Sequence, residues 1–269
     1  MTTRSTVASF FLTAALLAGG VAAQTPAGPP HFIIPPTRHS PGLDGVAMDG
    51  AGNLTFLWTR LSSTPTGFQQ EAFIRRFSGA DVPLGGPVRL ASSRFDTVGG
   101  AVAANQRGDV LYTWSRRFTD PPSGRTDFFL RRTSPVLPTL TLLIKGDSEV
   151  AVDNAGNFVV VWPTSTIQGN RVHGQRYNRD GTKRGREFDV APSATGSHFS
   201  PSIAMNPNTG EFVVVWEVWD DEFRPVSVRG QRFGFFSGRQ GSEIEIYTQP
   251  VGEVPSVLAF FAPQVARAA

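Results

Sequence analysis

Apolar residues recur along this chain in short, dense bursts that follow a glycine. In "VAVDNAGNFVVVWP", residues 150–163, a run of apolar residues ending in a tryptophan follows the turn-like "DNAG". Side chains alternate faces along an extended strand. Phe158, Val160 and Trp162 therefore share one face, and Val159 and Val161 the other. Both faces are apolar, so such a strand must be covered on both sides. No stretch keeps a helical period over a useful length.

The burst occurs four times, as "VAMDGAGNLTFLW" (46–58), "VAANQRGDVLYTW" (102–114), "VAVDNAGNFVVVW" (150–162) and "IAMNPNTGEFVVVW" (203–216). The turn glycines are Gly52, Gly108, Gly156 and Gly210, and six residues later come Trp58, Trp114, Trp162 and Trp216. Downstream, "FIRRFS", "FLRRTS", "HGQRYN" and "RGQRFG" place Arg76, Arg132, Arg176 and Arg232 in one equivalent slot. Nine residues further on, copies one, three and four carry Gly85, Gly185 and Gly241, whereas copy two has "PTLTLLIKG". Starts lie roughly 48 to 57 residues apart, a spacing at which propellers and related arrays fall.

One repeat reads as four short strands: in copy three "VAVD", "NFVVVW", "VHGQRY" and "REFDVA", with tight turns at "DNAG" and "NRDG". This predicts an all-β fold, a β-propeller-like array of about four four-stranded antiparallel repeats. The repeats cover about 40–95, 96–147, 148–198 and 199–250 of a single domain over 31–269. "HFIIPPTRHSPG" near the start matches a last-strand region, and "VPSVLAFF" (254–261) matches a first strand. The termini either close the ring or form a partial fifth blade. Slots shared by every unit serve the scaffold, so the repeated tryptophans are expected to pack. The repeated arginines are expected to pair with carbonyls or carboxylates of a neighbouring blade.

These segments resemble a repeat of secreted bacterial proteins. Its form is Gly-x-Phe-Val-Val-Val-Trp, then Gln-Arg-Phe-Asp/Asn-x-x-Gly, then Glu-Phe-x-Val-Asn and Pro-x-Val-Ala. The match is strong over 148–235 and looser over 40–147. The resemblance implies an extracellular propeller-like repeat protein, often a module of larger surface or calcium-binding proteins. It implies no reaction. The nonapeptide calcium repeats that often accompany the family do not occur in this sequence.

The start of the chain changes the picture of where such an array works. "MTTR", the apolar "VASFFLTAALLAGG" and "VAAQ" have the layout of a cleaved export signal over 1–23, followed by a Pro-rich linker over 24–30. The apolar run is shorter than the ~20 residues that a spanning helix needs. The expectation is a secreted or periplasmic protein with no membrane span in the mature chain. There is no cysteine, so packing and not disulfides must hold the fold. The net charge of +3 and the lack of a long basic run argue against a nucleic-acid partner.

Signatures of catalysis are missing: no Gly-x-Ser-x-Gly elbow, His-Glu-x-x-His, phosphate-binding loop or cysteine nucleophile. His31, His39, His173 and His198 are scattered. The expectation is therefore a non-catalytic binding module, for a glycan, a surface polymer or an extracellular protein. The alternative is a degenerate sialidase-like glycosidase on a propeller scaffold, which would draw on the repeated arginines. What breaks the repeat points to a site. In "WEVWDDEFRP" (216–225), Trp219 falls outside the common slot and Asp220, Asp221 and Glu222 follow it. Adjacent carboxylates suit a hard cation such as calcium, and an exposed aromatic suits stacking on a sugar or peptide. The plainer reading is a solvated acidic loop with Trp219 folded onto its own blade. No other cofactor is expected.

Overall fold

A computed structural model describes residues 40–65, 67–93, 99–117, 126–167, 169–191, 196–222 and 224–248. The chain divides by contact into Met1–Phe32 and Ile33–Ala269, and the first unit lies wholly outside the described residues. So do the expected export signal, the linker and the two terminal strands. All described secondary structure is β, in four four-stranded antiparallel sheets. The first holds β1 (Ser40–Met48), β2 (Leu54–Thr64), β3 (Gly67–Phe77) and β4 (Val88–Ser93). The second holds β5 (Gly99–Ala104), β6 (Val110–Arg117), β7 (Thr126–Thr133) and β8 (Leu140–Ile144). The third holds β9 (Glu149–Val152), β10 (Phe158–Thr166), β11 (Gly169–Tyr177) and β12 (Lys183–Asp189). The fourth holds β13 (Ser197–Met205), β14 (Phe212–Trp219), β15 (Pro225–Gly234) and β16 (Gly238–Thr248). Each sheet is a meander in chain order, one sequence repeat to a sheet. Copy two forms its fourth strand, β8, without the glycine that the other copies carry.

The sheets stack in sequence through their faces. Ala72 and Ile74 of the first sheet meet Val110, Tyr112 and Trp114 of the second. Leu111 and Leu130 on the far side of the second meet Phe158, Val160 and Trp162 of the third. Val159, Val161 and Val190 of the third meet Phe212, Val214 and Trp216 of the fourth. The strand apolar on both sides is thus explained for β6 and β10, each lying between two like sheets. The first strands β1, β5, β9 and β13 are successive neighbours. This is a propeller-like array. The four repeated tryptophans are 0 to 9% exposed. Burying ~150–250 Å² of aromatic surface at ~25 cal/mol per Å² gives each up to about 4–6 kcal/mol, an upper bound. Strand two does not close at its tryptophan, however: in every sheet it continues further, as in β2 to Thr64 and β10 to Thr166.

The turns between first and second strands repeat one polar device. Asp49 Oδ1 accepts the Ala51 and Asn53 N–H groups, Asn105 Oδ1 those of Arg107 and Asp109, Asp153 Oδ1 that of Asn157, and Asn206 Oδ1 those of Asn208 and Thr209. Such side-chain acceptors replace the backbone bonds that the reversal leaves unmade. The four turn glycines have φ between 72° and 88°, the left-handed region that other residues rarely adopt. Neighbouring turns are then sewn together. Asn154 donates through Nδ2 to Gln106 Oε1 (2.9 Å) and Asn208 Oδ1 (2.8 Å), and its Oδ1 accepts the Gln106 N–H (3.0 Å).

Two of the four repeated arginines bridge to the next sheet. Arg132 donates to the Arg179 carbonyl in the next sheet and to the Pro138 carbonyl of its own at 3.1 Å. Arg176 lies over Phe188 and Phe212 and reaches the Gly234 carbonyl at 3.4 Å. Arg76 pairs instead with Asp49 at 3.2 Å. Arg232, in the last sheet, is exposed, and its guanidinium makes no hydrogen bond or ion pair among the described residues.

Candidate functional site

A meander places the turns between strands one and two, and between three and four, at one end of each sheet. The loops between strands two and three, and the links between sheets, lie at the other. Trp219 and the acidic loop belong to this second end. Trp219 is the last residue of β14, half-buried, with its ring 5.1 Å from that of Phe199. Its indole N–H donates to Glu217 Oε2 at 2.8 Å. Asp220 is committed locally: Oδ1 accepts the Glu222 and Arg224 N–H groups, and Oδ2 takes both Nε and Nη2 of Arg224. Desolvation pushes its pKa up, but these bonds outweigh it and hold the carboxyl below its ordinary value. Glu222 pairs with Nη1 of the same arginine at 2.9 Å, and Asp221 is exposed. Arg224 therefore neutralises two of the carboxylates that the sequence offered to calcium. Among the described residues no three His, Asp or Glu side chains converge closely enough to hold a metal ion.

A groove of about 440 Å³ opens at the same end, on the third sheet. It is lined by Lys145 and Gly146 from the link that enters the sheet, by Trp162, Pro163, Thr164 and Ser165 of β10, and by His173 and Glu187. Lys145 Nζ lies 2.9 Å from Glu187 Oε1, and His173 Nδ1 lies 2.8 Å from Asp189 Oδ1. The second pair fixes the imidazole through Nδ1. Trp162 is 4% exposed, so it forms a floor and not a stacking platform. Arg171, opposite Thr164 of the groove wall, donates to the Gly196 carbonyl at 2.7 Å, and Gly196 lies against the backbone of Trp219.

Burial raises the pKa of several carboxyl groups on this half of the array. Burial raises Asp44 despite a bond from Thr59, raises Glu217 despite bonds from Trp219 and Ser200, and pushes Glu149 up to about 7. Glu217 occupies the slot that Thr59 fills in the first sheet, directly after the repeated tryptophan. Ser200, 3.4 Å from Glu217, sits in a bulge of β13 with φ of 50°.

The structure brings Trp219 and the acidic residues to the end of the array that also holds the groove. The groove itself was not legible in sequence, because its parts come from four separated segments. Two weak signals existed: Pro163 and Glu217 depart from the small polar residues that follow the other two tryptophans.

No known protein family matches the chain, and no curated protein sequence matches it. Among solved structures it is similar to an endo-arabinase from Bacteroides thetaiotaomicron, with 11% identity and a TM-score of 0.37, covering 70% of this chain and 76% of that one. A luciferin-regenerating enzyme is similar at 10% identity and a TM-score of 0.40, covering 76% of each chain. Likeness this distant transfers no activity, and the assignment of a propeller-like array rests on the sheet topology itself.

Proposed function

We propose that this chain is a secreted, non-catalytic binding module whose ligand is a polyhydroxylated polymer such as a glycan, held in the groove on the third sheet. The observation that carries the reading is the lining of that groove. Hydroxyls of Thr164 and Ser165, the His173 ring, the Lys145 ammonium and the Glu187 carboxylate surround an apolar floor of Trp162 and Pro163. Alternating donors and acceptors beside an apolar wall suit sugar hydroxyls, and the volume fits a small-ligand or single-residue subsite. The neighbouring 219–222 loop offers a second contact surface along the same end.

The test is a glycan array probed with the purified protein, with calcium and with chelator, beside His173→Ala and Trp219→Ala. Binding is expected to survive chelation and to weaken about tenfold in His173→Ala, about 1.4 kcal/mol. Loss with chelator and in Trp219→Ala alone would move the site to the acidic loop. Absence of binding to every glycan would overturn the glycan reading in favour of a protein partner.

The glycosidase alternative draws on one observation, the buried Glu217, whose carboxyl pKa desolvation raises above its ordinary value, the direction a general acid needs. Hydrolysis of aryl glycosides that is abolished by Glu217→Gln would establish it.

A further inference from the structure

The two outermost faces of the array expose apolar residues whose equivalents are buried between sheets, beside others, Phe56 and Trp58 on the first and Val215 on the fourth, that are buried. On the fourth sheet, Ile244 is 38% and Ile246 54% exposed. Their equivalents in the third sheet are Phe188 and Val190, which pack into the core shared with the fourth, Val190 being 0% exposed. On the first sheet, Val46 is 41% and Met48 64% exposed. Their equivalents, Val150 and Val152 in the third sheet and Ile203 and Met205 in the fourth, lie between 4 and 7% exposed against the preceding sheet. The polar parts repeat the contrast. Arg132 and Arg176 donate to a carbonyl of the following sheet, whereas Arg232 stands exposed beside a cleft of about 310 Å³ that it lines with Ala204, Val213 and Gln240.

One interface, built three times within the chain, is thus presented as two unmatched halves. The receiving half, on the fourth sheet, holds an arginine and aliphatic side chains on its last strand. The entering half, on the first sheet, holds apolar side chains on its first strand. The two halves are complementary to each other and neither is complementary to itself. Val46, Met48, Ile244 and Ile246 are exposed, and among the described residues no apolar cluster joins the first sheet to the fourth.

We propose that this protein associates head to tail with second copies of itself, the fourth sheet of one copy receiving the first sheet of the next. Such a contact is heterologous, so it grows into a ring or an open chain and not into a closed two-fold dimer. Along that chain the third-sheet grooves would recur, and several weak glycan contacts would act together.

The test is sedimentation equilibrium of the purified protein over a wide concentration range, with Met48→Glu and Ile246→Glu. Both sites are exposed, so both variants should keep the wild-type circular dichroism and melting temperature. The wild type should gain mass with concentration, and each variant alone should associate at least tenfold more weakly. Mixed one to one, the variants should form a heterodimer, since one retains an intact fourth-sheet face and the other an intact first-sheet face. A wild type that stays monomeric throughout would overturn the proposal. So would variants that associate as the wild type does, or a mixture that does not recover.

Discussion

Glu149 begins β9, and burial pushes its carboxyl from an ordinary 4.5 up to about 7. The folded protein therefore binds more protons than the unfolded chain between those two values. Stability must fall as pH rises through that window and level off above it. At about 1.36 kcal/mol per unit, the loss is on the order of 3 kcal/mol. Glu149→Gln keeps the shape and removes the charge. Its urea midpoint should exceed that of the wild type at about pH 8 and match it at about pH 4. Equal midpoints at both would show that the carboxylate reaches water. A different residue explains why a motif was visible while its purpose was not. Gln175 and Gln231 stand in the two "GQR" copies, 1% and 0% exposed. Their Nε2 atoms donate to backbone carbonyls around Gly185 and Gly241, where the ladder is bulged. The glutamine, the arginine after it and the glycine nine residues on are one device. Sequence shows only their spacing, because the bond runs across strands.

Among the elements, the turns carry a seam that the sequence half discloses. Asx and glycine residues mark each reversal, so the turns and the strands on either side were legible by local chemistry. That Asn154 bonds both flanking turns was not, since the partners lie 48 and 54 residues away. Asn154→Ala removes both side-chain bonds from the turn and the acceptor for the Gln106 N–H. It should cost about 1–3 kcal/mol, at roughly 1 kcal/mol per bond. A thermal melt of the variant checks this, and Asn154→Asp should recover the acceptor only. Strand identity was read correctly where both faces are apolar, as in β10. The extent of the strands was not, because the hairpins beyond the tryptophans are polar and lack the apolar pattern that marks a strand. Opposite Thr164, Ser165 and Thr166 stand Arg171, Asn170 and Gly169. These polar extensions are also what build the groove, which is why fold was easier to read than site.

For the whole molecule, sheets that touch only their sequence neighbours make stability a sum of unit and interface terms. The second and third sheets have two such interfaces each, and the first and fourth have one among the described residues. Hydrogen exchange should follow that gradient: amides of β6 and β10 should open with free energies on the order of 2 kcal/mol above those of β1 and β16. Uniform protection of all four sheets would mean that the array unfolds as a single unit. The two ends of the array also differ in what holds them. The seam of Gln106, Asn154 and Asn208 is uncharged, whereas the groove end carries the Lys145–Glu187 and Arg224–Asp220 ion pairs. Ionic strength weakens exposed charge pairs and leaves amide bonds and buried aromatics in place. Concentrated salt should therefore loosen the ion pairs at the groove end while the amide seam and the stacked core stay in place.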